Sequence, residues 1–530
     1  MGKIQRIRES KTGKTIVKKG KSGIGRILFG RTGIILLLLL LQLGILFIVF
    51  SRLQQHIIYA YWLFVLLSAL TAILIINRPG NPAFKLAWMV PITFFPVFGM
   101  LLYLFVEFQA GTVWLNHRLQ NVEQQMRKYV LQDPDVFEEL EKTDKRVANL
   151  SRYVTEKGGF PTYKNYHTTY YPWGKDKFEA LIEELNKAEK FIFMEYFIVA
   201  EGKMWNTVLE ILKKKVQEGV EVRFMYDGMC SISKLPSDYP WYLRRRGIRC
   251  KVFNPINPIV STIQNNRDHR KICVIDGKVG FTGGVNLADE YINRRERFGH
   301  WKDTAIMLEG DAVQSLTIMF LQMWNIDEKK SDAYEKYLYP SRKPFDPKDG
   351  YVLPYGDTPY DNETVGEEVY FHILNHAKEY VHIMTPYLIL DNEMIKTLAR
   401  VAKSGMEVII IMPHIPDKPY AFAVAKTYYK ELIEAGVRIY EYTPGFVHAK
   451  IFVSDDDTAT VGTINLDYRS LYLHFEDGVF IYNNPVVEDI ERDFQETLKK
   501  CHFVTMKEVQ ERSVKEKIEG QVLRLFAPLM

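Results

Sequence analysis

The sequence predicts an α/β protein in which amino-terminal transmembrane helices precede two fused, mutually similar lobes related by a pseudo-twofold axis. Three observations predict it. Three uncharged apolar stretches occur before residue 110, apolar strands alternate with helical periods beyond residue 150, and one polar motif occurs twice at matching offsets. At 530 residues the chain has room for several domains. Its charged content of 25% excludes a wholly disordered chain.

Residues 1–31 carry ten Lys/Arg against the single acid Glu9. They read as a basic tail held in the cytoplasm by the positive-inside rule and drawn to anionic lipid. The remainder carries 59 basic and 63 acidic residues, so the body is not basic. Nucleic acid is therefore not an expected partner.

Residues 32–110 are expected to span or anchor in a membrane. Gly33–Phe50 and Ile57–Ile76 are free of charge, and Tyr59, Tyr61 and Trp62 lie near one end of the second stretch, where amphipathic rings favour the headgroup layer. A bilayer core needs about 20 apolar helical residues, and these two stretches are long enough. The third, Leu86–Val106, is interrupted by Pro91, Pro96 and Gly99. If it crosses, everything after it lies outside; if it re-enters, the body stays inside, shielded by protein at the broken backbone. The expected location is the cell membrane, multi-pass, with the body on the cytoplasmic side.

Residues 111–150 read as a helical linker, 151–335 as the first lobe, 336–357 as a connector marked by Pro340, Pro344, Pro347, Gly350, Pro354 and Gly356, and 358–530 as the second lobe. The two lobes repeat one pattern. In the first, a strand near Phe191–Ile198 is followed by a helix and the strand Val220–Tyr226. In the second, a strand near Tyr380–Tyr387 is followed by a helix and the strand Met406–Met412. Each then gives a helix ending in a glycine turn at Gly247 or Gly436. Such alternation argues for a buried sheet flanked by helices. The four cysteines form no CxxC pair and read as small apolar residues.

Each lobe then reaches the same constellation. His269, Lys271, Asp276, Gly283 and Asn286 match His448, Lys450, Asp455, Gly462 and Asn465, with Lys at +2, Asp at +7, Gly at +14 and Asn at +17. Period-2 geometry puts each His and Lys on one face of a strand. Five coincident positions in corresponding places of a repeat are not a matter of composition.

Paired imidazoles, lysines and amides suit a phosphodiester, whose charge repels nucleophiles and whose alkoxide leaves poorly. A neutral imidazole can attack phosphorus and form a covalent phospho-histidine. The opposite imidazole protonates the departing oxygen and later deprotonates the incoming hydroxyl. Lys271, Lys450, Asn286 and Asn465 would donate to the non-bridging oxygens. Asp303 and Glu476, at the start of the strand after each motif, are expected to orient the imidazoles. Asp276 and Asp455 belong to the motif's catalytic set but are expected to act structurally, pairing within their own halves. No metal and no cofactor are expected, since nothing resembles a metal-ligand motif.

With these residues in hand, the chain resembles the phospholipase D superfamily and, within it, the bacterial cardiolipin synthase family. The segments that carry the resemblance begin at Arg267, Gly283, Gly445 and Gly462, with the ending Leu523–Leu529, and it covers roughly residues 57–530. The basic tail and the stretch near Gly33–Phe50 depart from the family pattern. The resemblance implies two phosphatidylglycerols converted to cardiolipin and glycerol, with His269 as nucleophile and His448 as acid/base; the local sequences alone do not order the two. The alternative within the superfamily is a membrane-bound phospholipase D that hydrolyses headgroups, since water and a lipid hydroxyl use the same groups. A non-catalytic scaffold would be expected to have lost a polar residue, and both sets are complete.

Overall fold

The computed structural model describes residues 37, 40–45, 47–48, 57–107, 110–230, 234–255, 262–328, 334–341, 344–361 and 363–529. These fall into two compact units. One runs through Val113 and takes in 262–265; the other comprises Trp114–Pro255 and Asn266–Met530. The basic tail, and most of the first apolar stretch, lie outside the described residues.

In the amino-terminal unit the second apolar stretch forms α1 (Ile57–Asn77), 21 residues without a charge. Apolar side chains project outward around it: Leu63, Leu66, Leu70, Ile73 and Leu74 are all exposed. The third stretch is not one helix. It breaks before Pro96 into α2 (Pro82–Phe94) and α3 (Pro96–Glu107), because proline cannot continue the helical hydrogen-bond ladder. Asn81 caps α2 by accepting from the Ala83 N–H. The helices meet closely: a Cβ on Gly99 would lie 2.5 Å from the Pro91 carbonyl, and Trp88 packs edge-on to Tyr103 at 5.3 Å. The expectation of transmembrane helices is not met among the described residues, where no helix is long and apolar enough to cross a membrane.

The larger unit is a tandem α/β repeat. The first sheet contains β1 (Tyr166–Tyr171), β2 (Phe191–Tyr196), β3 (Glu221–Asp227), β4 (Arg249–Phe253), β5 (Lys271–Ile275), β6 (Val279–Gly283) and β8 (Ala305–Gly310), in the order β1-β8-β6-β5-β2-β3-β4; β7 (His300–Lys302) stands apart from it. The second contains β9 (Tyr351–Asp357), β10 (Tyr380–Met384), β11 (Glu407–Pro413), β12 (Arg438–Tyr442), β14 (Ile451–Ser454), β15 (Thr458–Gly462), β16 (Glu476–Tyr482) and β17 (Cys501–Phe503). Read from β9, its order β9-β16-β15-β14-β10-β11-β12-β17 repeats the first and adds one edge strand. The central strands β2, β5, β10 and β14 are buried along their length or nearly so, which is why they read as apolar runs.

Two expected boundaries shift. β9 lies inside the expected connector 336–357 and pairs with β16 along its whole length, so the proline-rich stretch ends in a strand of the second sheet. The expected linker 111–150 is packed: Leu119, Val122, Met126 and Leu140 are buried, and Arg118 donates to the Ile326 and Glu328 carbonyls. All four cysteines are free thiols.

The lobes are stitched through their motif ends. β13 (Gly445–Val447) pairs in parallel with β7 of the first lobe, and Asp268 forms the equivalent bridge with Phe475. A buried Lys302–Asp493 ion pair at 2.7 Å adds a second link.

Candidate active site

The motif strands begin two or three residues later than their period suggests, at Lys271 and Ile451. The histidines therefore sit at the strand mouths, where the lobes meet. The His269 N–H donates to the Phe475 carbonyl at 2.9 Å, and the His448 N–H donates to the Lys302 carbonyl at 2.7 Å. Each bond ties a histidine to the residue just before the other lobe's carboxylate.

The side chains cross in the same way. His269 Nδ1 lies 2.9 Å from Glu476 Oε2, and His448 Nδ1 lies 2.7 Å from Asp303 Oδ2. All four groups are buried. A carboxylate on Nδ1 fixes the tautomer with the proton there and leaves the Nε2 lone pair for chemistry. The carboxylates are themselves held: Asp303 Oδ1 accepts from the Thr304 N–H at 2.9 Å, and the Thr463 hydroxyl donates to Glu476.

The motif glycines make this approach possible. A Cβ on Gly283 would lie 2.6 Å from the Thr304 carbonyl oxygen, and one on Gly462 would lie 2.4 Å from that of Asp477. No side chain can be accommodated between each strand and the one carrying the carboxylate.

Electrostatics sort the protonation states. Burial pushes His269 well below its usual range, with Glu476 opposing and Lys271 assisting. Burial, joined by the Lys450 charge, lowers His448 to about 4 against the pull of Asp303. Glu476 is driven up by burial, but His269, His474 and Lys271 together hold its carboxyl below the ordinary range. The resting His269–Glu476 pair is therefore neutral imidazole on ionised carboxylate. Burial lowers Lys271 to about 8 and Lys450 to about 7. Lys271 disfavours protonation of both imidazoles, so one field spans both motifs. A bound phosphodiester anion would reverse these shifts and recharge the site.

The structure separates the expected set. His269, Lys271, Glu476, His448, Lys450 and Asp303 converge, and each lysine Nζ donates to its own histidine carbonyl. Asp276 and Asp455 do not join them. Asp276 accepts from the N–H groups of Glu189, Lys190 and Phe191 at 2.7–2.8 Å. Asp455 accepts from Lys378, Glu379 and Tyr380 at 2.7–3.1 Å. Both adopt left-handed backbone, φ 54°, and latch the turn to the start of the neighbouring strand. Their place in the catalytic set is corrected to that of anchors, as the pairing within each half implies.

Asn286 is also engaged elsewhere. Its Oδ1 accepts from the Ile198 N–H and its Nδ2 donates to the Tyr291 hydroxyl, both at 2.8 Å, which commits one of its two amide hydrogens. Asn465 keeps a buried Oδ1 without a hydrogen-bond partner.

One residue escaped the sequence reading. His474 is buried beside the site, its ring 5.7 Å from that of His269 and its Nδ1 3.7 Å from Glu476 Oε1. Its signal was its position two residues before Glu476, on the same face at a strand start. With His269 and Glu476 it forms the cluster that could hold a metal ion among the described residues, its ligand atoms within 4.8 Å of one another.

Comparison with known proteins gives the class first. A family model for the phospholipase D-like domain of cardiolipin synthase matches residues 181–324 and 370–498, one segment for each motif. A second, for the amino-terminal segment of phospholipase D-type nucleases, matches 60–107. The chain is 50% identical over 456 residues to an uncharacterized protein of Streptococcus mutans serotype c, covering 86% of this chain and 98% of that one. It is 33% identical over 464 residues to the cardiolipin synthase of Geobacillus kaustophilus, covering 87% and 91%. To that of Halalkalibacterium halodurans it is 32% identical over 513 residues, covering 94% and 99%. The phosphatidylserine synthase of Haemophilus influenzae shares the fold, with a TM-score of 0.54 at 16% identity, covering 72% of this chain and 98% of that one. The chain belongs to the cardiolipin synthase family of phospholipase D-like proteins.

Proposed function

We propose that the protein is a membrane-bound cardiolipin synthase, transferring a phosphatidyl group between two phosphatidylglycerols to give cardiolipin and glycerol. Nε2 of one motif histidine, His269 by family resemblance, attacks phosphorus as the bond to the glycerol oxygen breaks. The other imidazole, His448, protonated once the anionic substrate has entered, gives its proton to that oxygen. The glycerol hydroxyl of a second phosphatidylglycerol then returns a proton to the same imidazole. Its oxygen attacks phosphorus and the P–N bond breaks, so no water is consumed. Lys271 and Lys450 steady the non-bridging oxygens as their charge grows. No metal or other cofactor takes part in this reading.

The observation that carries it is the crossed pairing, in which each lobe's histidine is oriented by the other lobe's carboxylate. That arrangement makes two half-motifs into one two-imidazole site. Membrane attachment through the amino-terminal unit, with the body facing the cytoplasm, is part of the same proposal. The apolar surface of α1 and the basic tail favour it. Purified protein given labelled phosphatidylglycerol should release glycerol and cardiolipin in equal amounts; phosphatidic acid as the main product would make the protein a phospholipase D instead.

A further inference from the structure

The pseudo-twofold is broken beside the reacting groups. Tyr291, five residues after Asn286, has Ser470 as its counterpart five residues after Asn465; Trp301, two before Asp303, has His474 as its counterpart two before Glu476. On one side the His448 ring is walled by Tyr291 at 5.5 Å, Trp301 at 5.4 Å and Phe446 at 5.8 Å. On the other side the counterparts are small or polar, and three buried polar atoms are left without a hydrogen-bond partner, His474 Nε2, Ser470 Oγ and Asn465 Oδ1, while His474 Nδ1 faces Glu476 Oε1 at 3.7 Å. All three residues are at least nine-tenths buried, at 8%, 1% and 5% exposure. Such atoms are costly to bury without partners, so several in one segment of chain point to a ligand.

The chemistry of these three atoms is selective. With Nδ1 turned to the Glu476 carboxylate, His474 Nε2 accepts, an amide oxygen only accepts, and a serine hydroxyl does both. A phosphate anion has no proton to give the Asn465 oxygen or the accepting imidazole nitrogen. A polyol satisfies every one of these atoms.

We propose that His474, Ser470 and Asn465 form a polyol-binding wall that recognises the glycerol hydroxyls of the leaving or accepting headgroup and so favours phosphatidylglycerol over water and simple alcohols as acceptor. The inference rests on the phosphatidyl-transfer reading and refines its specificity.

The test is acceptor competition with the full-length protein. Phosphatidylglycerol vesicles are supplied with equal concentrations of labelled glycerol and labelled 1-propanol, and the two labelled phospholipids are measured as a ratio. His474→Phe, which keeps a ring but removes both nitrogens, should lower the glycerol-to-propanol ratio at least tenfold. His474→Gln, which keeps one donor and one acceptor, should restore most of it. An unchanged ratio in His474→Phe, with both products falling together, would overturn the proposal and leave His474 acting only through Glu476. Ser470→Ala reads the same ratio without a large change of shape, and should lower it severalfold even if the phenylalanine is not accommodated; no change there also counts against the wall. Cardiolipin is measured in the same wild-type sample. Its absence alongside glycerol exchange would sink the synthase reading and leave the polyol wall standing.

Discussion

In the first lobe the Asn286 amide accepts from the Ile198 N–H and donates to the Tyr291 hydroxyl, while in the second lobe its counterpart Asn465 leaves its oxygen unpaired. The motif residues and the carboxylates that meet them show no such divergence. Histidine, lysine, cross-lobe carboxylate and strand-latching aspartate recur in both lobes with nearly the same partners. The difference teaches where a duplicated fold is free to change. In the proposed reaction the phosphorus needs two equivalent flanks, whereas the substituents around it are unlike, one a diacylglycerol and the other a polyol. The walls can differ while the core of the site cannot.

The largest effect should come from breaking the symmetric core. His269→Ala and His448→Ala should each reduce turnover by about 10³-fold or more, since removing one member of a catalytic unit disables the whole. If the lobes worked as independent half-sites, each variant would keep about half the activity. Next in size is the cross-lobe orientation: Asp303→Asn and Glu476→Gln should each cost about 10- to 100-fold in kcat by loosening the tautomer of the opposite histidine. An effect confined to KM would mean that these carboxylates bind substrate instead.

Acidity sharpens the comparison further. Lys450 and Lys271 carry their charge only below about 7 and about 8, and an anionic substrate needs that charge. The kcat/KM profile should therefore fall as pH rises through this window. Lys450→Arg, which stays charged there, should move the limb upward even if its plateau is lower. A profile flat to pH 9 would contradict the assignment.

The smallest effect on chemistry, and the clearest on stability, belongs to the latches. Asp276→Ala strands three backbone N–H groups, one of them fully buried, and should destabilise the fold by about 2–3 kcal/mol. Asp455→Ala, whose donors are more exposed, should cost less. Denaturation midpoints would show that order, with activity per folded molecule largely kept.

Much of this was legible in the sequence because repetition filters chance. The two lobes, the succession of strands and helices along each, the motif residues and the carboxylates at Asp303 and Glu476 all repeat. What repetition cannot reveal is which copy a residue serves: nothing local to Asp303 says that it faces His448 rather than His269, since that depends on how the sheets pack. Divergent positions were hidden for the same reason. His474 has no histidine counterpart, and only its alternation with Glu476 marked it. The proline-broken stretch 86–106 announced its break but not that it would fold as the two packed helices α2 and α3.

The most direct test is a rapid quench of the enzyme with phosphatidylglycerol labelled in its diacylglycerol part, followed by mapping of the bound label. The account expects one phosphatidyl group per chain, held on a single motif histidine and discharged into cardiolipin when unlabelled phosphatidylglycerol is added. Label on both histidines at once, or a competent enzyme that never carries any, would contradict it.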